Sequence, residues 1–167
     1  RLKFMKTFFN FLTTFLFILM SQNALSESTY DVTGKGYGYC TFNGEFQKLS
    51  DGSFLQEQKC IEFYFDDGAP EIFPGKVTAE CTYTNRFSEE MTQTSSHGVC
   101  IAKDVDNDGF IAVNGWSKPD YSDLKFETHG GWGKYMNTTA SGIPQLVGLI
   151  GTDGYEFTYK SVLSIKD

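Results

Sequence analysis

Asp104-Val105-Asp106-Asn107-Asp108-Gly109 places three carboxylates at alternate positions and closes the run with glycine. Calcium loops put oxygen ligands at positions 1, 3 and 5, glycine at 6, and a bidentate acid at 12. Asp104, Asp106 and Asp108 fill the first three, and Ile111 stands at the apolar position 8. Position 12 is Gly115, so a calcium site here needs a further acid from elsewhere, such as Asp120 or Asp123. The competing reading is a hairpin turn, for which Asn107-Asp108-Gly109 is well suited. The turn is the favoured expectation, with no required cofactor and calcium as the alternative.

Other chemistry is sparse. Glu62, Asp66 and Glu127 lie in strand-like stretches. A carboxylate enclosed by a barrel can serve as a general base. Alternation gives Ile61, Phe63 and Phe65 one face and Glu62, Tyr64 and Asp66 the other, so the polar face is read as solvated. His97 and His129 stand 32 residues apart without a metal-binding or catalytic spacing, and are read as structural or surface groups. No nucleophile elbow, phosphate loop or dinucleotide fingerprint occurs, and no catalytic residue is assigned. Asn137-Thr138-Thr139 is a glycosylation sequon, relevant in a eukaryotic secretory pathway.

Residues 1–26 hold the basic positions Arg1, Lys3 and Lys6, then an apolar run over 7–20, then Ala24 and Ser26 as small residues two apart. This predicts a signal peptide, with cleavage after Ser26 and Met5 as initiator. The apolar run is short for a membrane span, which needs about 20 residues. Residues 27–167 then form a single domain of 141 residues. Removing three basic residues from a net −7 leaves −10, which disfavours nucleic acid and anionic membranes as partners. The protein is expected outside the cytoplasm, in the periplasm or extracellular space.

All four cysteines, Cys40, Cys60, Cys81 and Cys100, fall in this domain. An even count in an exported chain suggests two disulfides. Of the three pairings, that of sequence neighbours, Cys40 with Cys60 and Cys81 with Cys100, is the expectation; two unbridged buried pairs are the alternative. No C-x-x-C occurs, which argues against a zinc ribbon or thioredoxin-like pair.

The elements that must position these groups are strands. KGYGYCTFNGEFQ, KCIEFYFDDG, GKVTAECTYTNRF and FIAVNGW alternate or carry β-branched and aromatic residues between turn signals. About eight strands are expected, with no helical period; Ser88 to Thr94 is the one candidate for a short turn. Glycines inside strands (Gly34, Gly36, Gly38, Gly130, Gly131, Gly133) and a long last strand favour an antiparallel closed barrel over a β-sandwich. Twenty-one of the 141 residues are aromatic. Among them Trp116, Trp132 and Tyr135, with Tyr155, Phe157 and Tyr159, are candidates to line a cavity for a small apolar ligand, against a barrel filled by its own side chains.

The stretch GVCIAKDVDNDGFIAVNGWS, followed by HGGWGKYMNTTASG, resembles small exported bacterial barrels of the allene oxide cyclase-like and dirigent-like superfamily. There a cysteine-bearing strand leads to an acidic hairpin turn, and a later G-G-T-G-K-aromatic stretch precedes a glycine-rich segment. Gly130-Gly131-Trp132-Gly133-Lys134-Tyr135 resembles that stretch, with Trp132 where Thr is usual. The resemblance spans residues 95–160. It implies the barrel and leaves two function classes: a non-enzymatic binding or structural module, or an enzyme like the superfamily's cyclase or its radical-coupling guides; a calcium-stabilised surface interaction domain is the third alternative. It carries no catalytic residue over to this chain.

Overall fold

The computed structural model describes residues 26–118 and 120–166. The signal-peptide expectation, apart from Ser26, therefore lies outside the described residues. Eight strands follow one another: β1 (Glu27–Lys48), β2 (Phe54–Asp67), β3 (Lys76–Phe87), β4 (Gln93–Lys103), β5 (Gly109–Trp116), β6 (Lys125–Trp132), β7 (Thr138–Ile150) and β8 (Gly154–Lys166). One 3₁₀ turn, Gly133–Tyr135, joins β6 to β7. Each strand pairs with its sequence neighbours, and β8 pairs antiparallel with β1 from Glu27↔Lys166 to Tyr39↔Gly154. The barrel is closed, so the sandwich alternative falls. Among the described residues no helix is long and apolar enough to cross a membrane.

The two disulfides pair sequence neighbours, Cys40–Cys60 and Cys81–Cys100. The register explains why. Cys40 opposes Cys60, Cys60 opposes Cys81, and Cys81 opposes Cys100, so the four form one inward-facing row across β1 to β4. Beside that row the interior positions of β3, β4 and β5 are Ala79, Ala102 and Ala112, all buried. Small side chains on this wall leave space that large ones elsewhere only partly fill.

β1 and β8 divide the opposite wall between backbone and side chains. Gly34, Gly36 and Gly38 point inward, opposite Tyr159, Phe157 and Tyr155. A Cβ on each would lie 2.3 Å from the facing ring. The glycines are therefore a trough in which three aromatic rings of β8 lie flat enough to reach β2. In Gly36→Val the side chain also meets the Phe63 carbonyl oxygen, 2.7 Å from the ideal Cβ. Overpacking of this kind is expected to lower stability by about 3 kcal/mol in urea unfolding. Adding Phe157→Ala should recover part of the loss, because the two positions share one contact.

The orientation of β2 reverses the sequence expectation. Glu62 is 2 % exposed, whereas Ile61 is 50 % and Phe63 37 % exposed. Glu62, Tyr64 and Asp66 line the interior, and the apolar residues between Cys60 and Asp66 face outward. The reason is that the interior supplies phenolic donors for the carboxylates, so burying this face is affordable.

The ring of backbone pairing is uneven. β6 and β7 share two register pairs, Phe126↔Gly142 and Glu127↔Ser141, among the described residues. β7 shares twelve with β8, with a bulge at Val147. The edge of β7 beyond Ile143 has no partner in β6.

Candidate functional site

The interior holds a cavity of about 300 Å³. Its lining residues at the β5–β6 end include Tyr121, 55 % exposed, and Leu146, 63 % exposed, so the cavity reaches solvent there. At the opposite end Phe73, from the β2–β3 connection, is buried against Tyr135 with ring centroids 4.9 Å apart. Tyr121 is held beside Trp116, at 4.5 Å between ring centroids. Asp123 fixes that loop by accepting from the Ser117 hydroxyl and from the backbone amides of Ser117 and Lys118. The Ser117 hydroxyl is the main cause that lowers the Asp123 carboxyl to about 2.

Two carboxylates face this space. Glu62 accepts hydrogen bonds from the Tyr64, Tyr83 and Tyr155 hydroxyls, that from Tyr83 at 2.5 Å. Tyr83 in turn accepts from Asn114 Nδ2 at 2.7 Å. Residues of β2, β3, β5 and β8 thus meet on one carboxylate. Burial first, then the Glu62 charge, raises the pKa of all three phenols above the ordinary tyrosine value. They therefore remain donors across the physiological range. Further along β2, Asp66 accepts from the Tyr159 hydroxyl. Burial raises the Asp66 carboxyl, and the Tyr159 hydrogen bond only partly opposes it.

The Asp66 shift has a definite sign. A carboxyl whose pKa is raised on folding binds protons more tightly in the native state, so stability falls as pH rises from about 3.8 through the raised value. Asp66→Asn keeps an acceptor for Tyr159 and removes the titration. The variant is expected to be the more stable at neutral pH and to lose that advantage below the ordinary aspartate pKa. Urea midpoints measured from pH 3 to 8 check this.

The sequence-derived residues are distributed as follows. Trp116, at the end of β5, and Tyr135, from the 3₁₀ turn and packed against Phe110 near the start of β5, line the cavity. The Tyr135 hydroxyl is buried, and burial, then the charge of Asp104 and a hydrogen bond to it, raises its pKa. Trp132 is not among the lining residues. Its indole donates to the Asn107 carbonyl oxygen at 2.7 Å and its ring lies over Gly109. Glu127 pairs with Lys125 at the surface, and His97 and His129 are exposed. Asn137 of the sequon is exposed. Sequence reasoning missed the Glu62–Tyr64–Tyr83–Tyr155–Asn114 cluster. Cys60, two residues before Glu62 and so on the same face, was the signal that could have found it.

The acidic hairpin is a turn between β4 and β5. The Asp104 amide donates to the Asp108 carbonyl at 2.9 Å, and Asn107 adopts φ 64°. Lys134 Nζ lies 3.0 Å from Asp104, 2.7 Å from Asp106 and 3.9 Å from Asp108. Burial pushes the Asp104 carboxyl up, but Lys134 and the amides of Asp106 and Asp108 outweigh it and hold it low. Gly133 permits this approach: its φ is +60° and a Cβ would stand 1.9 Å from Asp108 Oδ1. The Lys134 ammonium thus lies among the three carboxylates of the hairpin. Melts of wild type and Lys134→Ala in EDTA and in millimolar calcium separate the two cations. The wild-type curves are expected to coincide, and the variant to melt lower and to recover only in calcium.

Neither the protein-family models nor the curated proteins yield a match. Among solved structures, a pterocarpan synthase dirigent protein superposes with a TM-score of 0.56, over 86 % of this chain and 93 % of its own, at 13 % sequence identity. At that identity the likeness is one of architecture. The order of eight strands, the closure of β8 on β1 and this superposition together make the chain a dirigent-like β-barrel in fold.

Proposed function

We propose that the barrel binds a small, mostly apolar molecule in its interior, an aromatic body bearing one polar group. The cavity carries this reading: about 300 Å³, with aromatic rings from β2, β5, β6 and β8 around a carboxylate–phenol cluster. Trp116 and Tyr121 contribute its mouth, and Glu62 and Asp66 its polar anchors. Export of the chain is part of the proposal, supported by the leader-like residues 1–26 and by two formed disulfides.

The test is a fluorescence titration with 2-naphthol. Saturable binding to wild type, lost when Ala112→Leu fills the cavity in a protein that still melts cooperatively, supports the reading. Equal binding to both proteins, or none to wild type, sinks it.

Asp66 favours a second reading, a dirigent-like or cyclase-like enzyme. A carboxyl with a raised pKa, beside a phenol in an apolar site, is equipped to pass a proton to or from a bound phenolic or unsaturated substrate. Conversion of such a substrate by wild type, lost in an Asp66→Asn variant that still binds 2-naphthol, is the result that distinguishes enzyme from binder.

A further inference from the structure

We infer that the cavity selects for positive charge, and that its ligand is a small organic amine carried on an aromatic or aliphatic body. This deepens the binding proposal above and rests on it. Three observations point the same way. First, both ionisable acids of the lining, Glu62 and Asp66, are carboxyls, and no Lys, Arg or His lines the cavity among the described residues. A site lined by one sign of charge and walled by apolar groups focuses that field on its contents. Anions are repelled, and a buried carboxylate without a countercharge is a standing electrostatic cost that a bound cation removes.

Second, the interior has acceptors to spare. Gln56 Oε1 and Asn114 Oδ1 are buried without hydrogen-bond partners. Asn114 belongs to the cavity lining and spends its donor on Tyr83. Asn114 Oδ1 can only accept, so the complement a ligand supplies there is a donor hydrogen, which an ammonium carries along with the charge. Third, the walls are rings. Tyr64 stands edge-on to Phe157 and Tyr159, at 5.4 and 5.9 Å between centroids, and Phe126 stands 6.0 Å from Tyr159. Ring faces near a carboxylate bind ammonium groups through the ring quadrupole, an attraction that strengthens as water is excluded.

The inference excludes a ligand class as well as naming one. Fatty acids and other carboxylates of matching size are poor occupants, whatever their apolar content.

Three probes with one ring and nearly one length test it: 2-phenylethylamine, 2-phenylethanol and phenylacetate, titrated by calorimetry at pH 7 into wild type and Asp66→Asn. The amine is expected to bind about tenfold more tightly than the alcohol, with no heat from phenylacetate. Asp66→Asn should bring amine and alcohol to within about threefold. An alcohol that matches the amine in wild type, or measurable phenylacetate binding, overturns the cation preference while 2-naphthol binding keeps the cavity reading intact. If 2-naphthol and all three probes fail, both readings fall together.

Discussion

Replacing Glu62 with alanine is expected to cost about 4 kcal/mol of folding free energy, measured as the shift in guanidinium unfolding at neutral pH. Three phenolic hydroxyls converge on this carboxylate. Each buried donor stripped of its acceptor costs about 1–3 kcal/mol. The sum is reduced because the space left by the side chain admits water. Glu62→Gln is the informative companion. Its amide oxygen still accepts, but its NH₂ faces a hydroxyl that was donating, so a loss of about 1–2 kcal/mol is expected. If alanine and glutamine cost the same small amount, the cluster is not a structural centre of the barrel. The spectroscopic counterpart is near-ultraviolet circular dichroism, in which immobilised tyrosines should lose signal in the alanine variant more than in the glutamine one.

Reducing both disulfides is expected to cost more still. The bridges close segments with sequence separations of 20 and 19 residues. Chain-entropy arguments give about 3 kcal/mol for each. The two segments do not overlap, so the effects add to about 6 kcal/mol, comparable with the entire stability of many domains. Unfolding curves of oxidised protein, reduced protein and the Cys81→Ala/Cys100→Ala variant are expected to fall in the order oxidised, single bridge, reduced. Coincident curves would mean that reduced β1 to β4 keep the same register in the unfolded ensemble or that the rest of the barrel alone fixes the fold.

The barrel itself was legible because its signals are local and repetitive. Alternation, turn residues and an even cysteine count each speak within a few residues. The cysteine pairing also follows from spacing once successive strands are antiparallel neighbours. What alternation cannot give is which of its two faces points inward. On β2 the run of Ile61, Phe63 and Phe65 suggested a core, yet Ile61 and Phe63 are exposed and the interior takes Glu62, Tyr64 and Asp66. Hydrophobicity fails as a guide there because the interior is a phenol-lined space, able to satisfy carboxylates. Only Tyr64 is local; the other two phenols come from β3 and β8, 21 and 93 positions away from Glu62 in sequence, so no local window contains the site. The same distance hid the partner of the acidic hairpin: Lys134 Nζ reaches Asp106 across 28 positions.

Trp132 and Tyr135 illustrate a finer limit. They stand three residues apart and were grouped as one aromatic patch, but the Gly133–Tyr135 turn sends them to different places. Tyr135 enters the cavity, and Trp132 covers the hairpin from outside. A single glycine with positive φ is enough to break the period on which such grouping depends.

The seam between β6 and β7 is where the barrel wall is expected to open first. Both covalent bridges lie among β1 to β4, and the two-pair seam lies on the far side of the ring. One side of the wall is stapled, while on the other side the β6–β7 seam is held by two register pairs. Local opening follows the weakest line, so backbone amides on the free edge of β7 should exchange with deuterium far sooner than those flanking the cysteine row. On the binding proposal, a wall that parts on one side only would admit and release guests of different width while the strands that carry Glu62 stay paired.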